Sequence, residues 1–211
     1  MIPYGTFTFF LIAFIVLIPV IILGFLGKRS YIYNGISTAI MIVIIFASDK
    51  HNLLGQKYLS AQLFCFIIYV IWQVALIMYY YQSRQKKNTF TKFVTIMVLS
   101  ILPLAIVKIL QSSWLGGHQI HFHESKLIEF VGFLGISYVT FKSVQLIMEI
   151  RDGSIKEIKV GKLIQFISFF PTISSGPIDR YKRFVKDDKK VLSGVEYREL
   201  VVKAIHMIML G

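Results

Sequence analysis

Uncharged apolar runs alternate with short basic connections along this chain, and the runs have the length of membrane spans. Positions 2–27 carry no charge. At about 1.5 Å per residue they exceed a hydrocarbon core of roughly 30 Å, which predicts a first span over 7–27. Two more uncharged runs predict spans over 30–48 and 58–83, the latter anchored by Trp72 and the cluster Tyr79, Tyr80, Tyr81. A fourth, over 93–115, reaches spanning length if Lys108 extends its ammonium to the interface and Pro103 is accommodated as a kink. A fifth covers 127–150. Positions 163–178 differ: they are uncharged but short, broken by Pro171, Gly176 and Pro177, and flanked on both sides by basic residues. That pattern predicts a re-entrant dip, and irregular backbone at membrane depth has to face protein or a watery chamber. Ser193 and Glu196 have capping-box spacing, so a further helix is expected to start at 194 and run to 211, where no polar flank follows. The expected fold is all-α and polytopic, one transmembrane domain over 1–211, read as the N-terminal part of a longer protein.

Composition agrees with the pattern. With 211 residues, 55% hydrophobic, 16% charged and a mean hydropathy of +0.67, the chain is too oily for a soluble domain. Its 23 Lys and Arg against 11 Asp and Glu give +12, which in a soluble protein would suggest nucleic acid. Here the basic residues lie between apolar runs, so anionic membrane lipid and acidic partners are expected and nucleic acid is not. The basic connections around Lys28 and Arg29, Arg84 to Lys92, Arg151 to Lys162 and Asp179 to Lys190 all fall on one side of the successive spans, which puts them in the cytosol and the N-terminus outside. The first run has no basic residue before it and no small-residue cleavage site after it, so a retained helix is expected rather than a signal peptide. The single cysteine, Cys65, excludes an internal disulfide.

Candidate chemistry concentrates in the second half. Tyr138, Lys142, Gln145 and Glu149 share one face of the fifth helix, and polar groups inside a membrane protein point at a bundle interior or a wet cavity. They are candidates for lining a tunnel, with a structural Lys142–Glu149 pair as the alternative. In the dip, Ser174, Ser175, Gly176 and Pro177 combine small side chains with free backbone groups that a narrow substrate can approach closely, and they are further tunnel candidates. His118, His121 and His123 have no Cys or Asp beside them, so an exposed outer loop is expected and no metal. His206 reads as packing and His51 as interfacial. No nucleophile elbow, phosphate loop or zinc-binding helix motif is present.

Gly135-Ile-Ser-Tyr-Val-Thr-Phe141 and Phe169-Phe-Pro-Thr-Ile-Ser-Ser-Gly-Pro-Ile-Asp-Arg-Tyr181 resemble two segments of the membrane-bound O-acyltransferase (MBOAT) superfamily. With the opening Met1-Ile-Pro-Tyr-Gly5 and the loop His118-Gln-Ile-His-Phe-His123, the whole chain resembles the branch of that superfamily serving teichoic acid D-alanylation in Gram-positive bacteria. The resemblance implies an enzyme that moves D-alanine from a thioester at the cytosolic face through a tunnel toward hydroxyls of lipoteichoic acid outside. It implies no bound cofactor, since the substrate rides on the phosphopantetheine of an acidic D-alanyl carrier protein, and it implies other membrane proteins of the pathway as partners. Arg180, Lys182 and Arg183 are the candidate carrier-docking residues, acting by steering. The superfamily's catalytic histidine matches none of the five histidines here and is expected beyond Gly211, so the catalytic residues stay unknown and this stretch alone is expected to be inactive. A transporter or channel exporting an activated alanyl species would use the same polar stripe and dip, and a scaffold for the pathway would need neither.

The orientation is checked by labelling single cysteines in intact cells after Cys65 is replaced. Cysteines at positions 88 and 156 are expected to be shielded from an impermeant reagent. External labelling at either position would invert the topology.

Overall fold

Backbone in hydrocarbon has no water to bond, so an apolar run satisfies its own N–H and C=O groups by forming a helix. The computed structural model describes residues 7–28, 31–47, 59–86, 89–111, 135–173, 179–190 and 192–210, and all regular structure among them is helical. The helices are α1 (Phe7–Phe25), α2 (Tyr31–Ala47), α3 (Leu59–Lys86), α4 (Phe90–Gln111), α5 (Ile136–Arg151), α6 (Val160–Ser168), α7 (Tyr181–Lys189) and α8 (Gly194–Leu210), with a 3₁₀ turn at Phe170–Thr172 after α6. This is an all-helical, polytopic membrane protein. Phe7–Phe25, Gln62–Lys86 and Phe90–Ile109 are long and apolar enough to cross a membrane, and Ile32–Phe46 is a shorter apolar helix. α3 runs past Ser83 to Lys86, and α4 begins at Phe90 instead of 93. Arg84 and Lys86 are good helix formers in a last turn, where positive charge is favoured, so the helix outlasts the apolar run. Of the fifth predicted span, 127–134 lie outside the described residues.

The chain divides into two compact units, Met1–Lys50 with Val185–Gly211, and His51–Phe184. In the first, α1 packs against α2 and α8. Pro19 inside α1 removes one helical N–H, and Ser37 of α2 donates to the nearby Val16 carbonyl at 3.1 Å, a bond that ties the two helices at the weakened turn. α8 meets α1 through glycine. A side chain at Gly24 would overlap the ring of Tyr197, and one at Gly194 would stand 2.6 Å from the Phe25 carbonyl. The Tyr197 ring also meets that of Phe25 edge-on, 5.2 Å between centroids. Ser193 and Glu196 make the reciprocal bonds of a capping box, the Ser193 N–H donating to the Glu196 carboxylate at 2.9 Å and the Glu196 N–H to the Ser193 hydroxyl at 3.3 Å.

In the second unit α3, α4 and α5 pack on one another, and α6 lies against α3 and α5. Their shared core contains a complete polar relay. The Tyr69 and Thr140 hydroxyls are 2.6 Å apart, and Thr140 Oγ1 donates to the Ile136 carbonyl at 2.7 Å. Gln73 Nε2 donates to the Tyr69 hydroxyl at 2.9 Å and to the Ser100 carbonyl at 3.0 Å, while Ser100 Oγ donates back to Gln73 Oε1 at 2.8 Å. Gln73, Ser100 and Thr140 are wholly buried. Every donor and acceptor of the Gln73 amide is thereby engaged across two helices, with Tyr69 carrying the chain to the third. Between helices that gain little from apolar contact in lipid, such bonds supply specific adhesion of order 1 kcal/mol each.

Gln73→Leu removes the hub and strands Ser100 Oγ. It is expected to lower stability by about 1–3 kcal/mol in reversible denaturant titration of the detergent-solubilised protein, with Tyr69→Phe costing about 1 kcal/mol or less. Unchanged unfolding of both variants would mean that the relay does not hold these helices together.

Candidate functional site

The most polar interior surface of the second unit lies on α5, and Gly135 fixes where that helix begins. Gly135 has φ +92°, in the left-handed region that side chains disfavour, and a Cβ there would stand 2.5 Å from the Ile173 carbonyl. The start of α5 therefore presses backbone to backbone against the turn that follows α6. At the other end Gly153, with φ +73°, turns the chain out of α5, and the Ser154 N–H returns to the Glu149 carbonyl at 3.1 Å.

Lys142, 1% exposed, spends its charge on the segment opposite. Its ammonium donates to the Phe166 carbonyl at 3.2 Å and to the Thr172 hydroxyl at 2.5 Å, and it lies 5.6 Å from the centre of the Phe166 ring. Thr172 passes the bond on, its hydroxyl donating to the Phe169 carbonyl at 3.1 Å. α6 stops at Ser168, so the Phe166 carbonyl is one of the last four that a helix leaves without an internal donor. A cation at that end also meets the negative pole of the helix dipole. Lys142 is thus the cap that lets α6 end inside the protein, and its amine is committed to that role.

Two turns along α5, Glu149 faces the start of α7. Its side chain is 14% exposed, one oxygen is 4.0 Å from Arg180 Nε, and it accepts a bond from the Lys182 backbone N–H. A carboxylate at a helix N-terminus is the favourable placement for its charge. Lys142 and Glu149 therefore serve separate partners, one capping the end of α6 and the other the start of α7. Between them Gln145 is half-buried with its amide oxygen unpartnered, as are Glu149 Oε2 and the oxygen of buried Gln165 on α6. Tyr138 is half-buried at the first turn of α5.

The chain leaves α5 and comes back to it. The Tyr181 hydroxyl, at the first residue of α7, accepts a bond from the Lys159 backbone N–H, immediately before α6. Burial pushes the Tyr181 phenol above its ordinary range, so it stays neutral as the pH rises. An aromatic cluster closes the return: Phe166 meets Tyr181 and Phe184 at 5.4 Å, and Phe169 meets Phe184 at 5.5 Å. The two ends of the excursion are therefore adjacent in space. Of the residues expected from the sequence, Tyr138, Lys142, Gln145 and Glu149 share one face, and Arg180, Lys182 and Arg183 are exposed at the head of α7. Ser174, Ser175, Gly176 and Pro177 lie outside the described residues, as do His118, His121 and His123. Thr172 and Gln165 were not anticipated, although a hydroxyl and an amide in an otherwise apolar run were the available signal. Among the described residues no group of three metal-binding side chains is found.

No protein-family model matches the chain. It is 45% identical over 212 residues to a protein of Bacillus subtilis (strain 168) named teichoic acid D-alanyltransferase, a match covering 100% of this chain and 50% of the relative. A protein of the same name from Lacticaseibacillus rhamnosus is 42% identical over 99% of this chain and 47% of its own length. One from Streptococcus thermophilus is 32% identical over 99% and 46%. The chain spans about half the length of these relatives and resembles the N-terminal half of such a protein.

The glycine at the α5 start gives a direct test. Gly135→Ala is expected to destabilise by about 1–3 kcal/mol, since it adds both left-handed strain and a clash with the Ile173 carbonyl. Gly35→Ala, in a helix with open space around it, is expected to be neutral or stabilising by up to about 1 kcal/mol. Equal tolerance at both positions in thermal unfolding would remove the backbone contact as the reason for a glycine at 135.

Proposed function

We propose that this chain is the N-terminal part of a membrane-bound O-acyltransferase that passes D-alanine from a carrier-protein thioester at the cytosolic face toward teichoic acid hydroxyls outside. One observation carries the reading. The chain is 45% identical along its whole length to a teichoic acid D-alanyltransferase, and its two superfamily-like segments meet where Gly135 presses on Ile173, with Lys142, the residue after the first segment, bonded to Thr172 in the second. A pair of motifs that meet in space is what a shared reaction chamber requires.

In this proposal the segment from α6 to α7 is the re-entrant dip, a reading supported by the contact between Tyr181 and Lys159 at its two ends. α5 forms the wall it rests on. Lys142 holds the dip in place, and Gln145, Glu149 and Gln165 supply buried acceptor oxygens facing a passing donor group such as an ammonium or an amide N–H. Arg180, Lys182 and Arg183, exposed on the basic side, steer an acidic carrier protein whose phosphopantetheine presents the alanyl thioester. The base that takes the acceptor hydroxyl's proton is supplied by the other half of the protein.

Purified full-length protein is incubated with D-alanyl carrier thioester and a glycerol-phosphate acceptor. New D-alanyl ester on the acceptor is the expected product. Loss of thioester with alanine moved across a vesicle membrane, and no ester formed, would replace acyl transfer by export. Reversing charge at Lys182 and Arg183 is expected to slow carrier association about tenfold at low salt and to flatten its salt dependence. An unchanged rate would place docking elsewhere.

A further inference from the structure

The basic end of the second unit holds two arginines, Arg84 and Arg151, whose charge meets no carboxylate among the described residues. Arg84, in the last turn of α3, donates through Nε to the Arg151 carbonyl at 3.1 Å, one of five N–H groups, and its guanidinium lies against Gly153. The Arg151 guanidinium is stacked on aromatic rings, 4.3 Å from the centre of Phe93 and 5.4 Å from that of Phe90. Stacking occupies the faces of a guanidinium and leaves its N–H donors pointing outward in its own plane. Among the described residues neither arginine has a carboxylate within ion-pair distance. One turn before Arg84 on α3, Tyr80 is 2% exposed, its ring lies 6.1 Å from that of Phe93, and its hydroxyl has no hydrogen-bond partner. Two guanidinium groups fixed at the adjoining ends of α3 and α5, with an unpartnered hydroxyl one turn below on α3, offer a set of donors that an oxyanion can accept together.

We propose that Arg84 and Arg151, with Tyr80 below them, bind the phosphate of an anionic phospholipid headgroup. A phosphate diester offers the paired oxygens that a guanidinium fork takes. The lipid source follows from the surroundings: the pair stands where apolar α3 ends and α4 begins, beside Phe90 and Val94, which are 66% and 40% exposed on the apolar flank. Acyl chains lie along that flank when the phosphate sits between the arginines, whereas a free phosphate would gain nothing from it. The bound headgroup would then bolt together the ends of α3, α4 and α5.

The full-length protein is reconstituted in nanodiscs of phosphatidylcholine with and without phosphatidylglycerol, and the lipid retained after gentle release is measured by native mass spectrometry. Wild type is expected to keep phosphatidylglycerol in preference to phosphatidylcholine. Arg84→Gln with Arg151→Gln is expected to reduce that retention about tenfold or more, and Tyr80→Phe by about two- to fivefold, the loss of one hydrogen bond. Lys108→Gln, at the opposite end of α4, is expected to leave it unchanged. If the double Gln variant does not fold, Arg84→Lys with Arg151→Lys keeps the charge without the fork and is expected to lose about threefold or more. Equal retention of the two lipids, or wild-type retention by the folded arginine variants, would overturn the proposal. Displacement of the lipid by millimolar inorganic phosphate would make the site one for free phosphate and overturn the lipid assignment.

Discussion

The second unit depends on one buried ammonium. A helix that ends inside a protein leaves carbonyl groups facing a medium that offers no donors, and each costs a few kcal/mol if left alone. Lys142 answers this for α6 by bonding the Phe166 carbonyl and, through Thr172, the strand of backbone that follows. Because α6 can stop there, the chain can turn through Phe170–Thr172, bring Ile173 down on Gly135, and return Tyr181 to the residue before α6. Glu149 then performs the complementary service at the head of α7, where N–H groups face the missing partner. One helix thus supplies a cation to a helix end and an anion to a helix beginning, seven residues apart.

That division of labour explains how much was readable beforehand. Helical spacing alone puts Lys142, Gln145 and Glu149 on one face, because the period of the α-helix is fixed by its own hydrogen bonds. Their partners were out of reach. Lys142 is bonded to a backbone carbonyl and a threonine, and a carbonyl has no signature in a sequence, so the residues alone offered a tunnel lining or a Lys142–Glu149 pair and neither true partner. Seven residues separate the two by roughly 10 Å along the axis, which leaves room for each to find its own helix terminus. The boundary of α3 at Lys86 shows the same limit, since apolar runs mark where hydrocarbon ends and not where a helix does.

The Gln73 relay was equally silent. An amide in the middle of a spanning run reads as a blemish in the hydropathy, yet Gln73 organises Tyr69, Ser100 and Thr140 from three helices. What the sequence could show was the class of residue; what it could not show was convergence, which depends on the rotation of each helix about its axis. The capping box at Ser193 was legible for the opposite reason. Its donors and acceptors lie within four residues, and local geometry alone brings them together.

The glycine contacts between α1 and α8 carry a consequence for biosynthesis. The notch at Gly24 is filled by Tyr197, and Gly194 rests on the Phe25 carbonyl, so the first helix to emerge is completed by the last one described. At about 5–20 residues per second, the roughly 170 residues between them take on the order of ten to thirty seconds to make. Throughout that interval α1 has α2 as its packed neighbour, tied to it by the bond from Ser37 to Val16, while the notch is open. Until α8 arrives that notch faces hydrocarbon, so closing the first unit exchanges contact with the bilayer for contact with the Tyr197 ring, an exchange of solvent as much as a folding step.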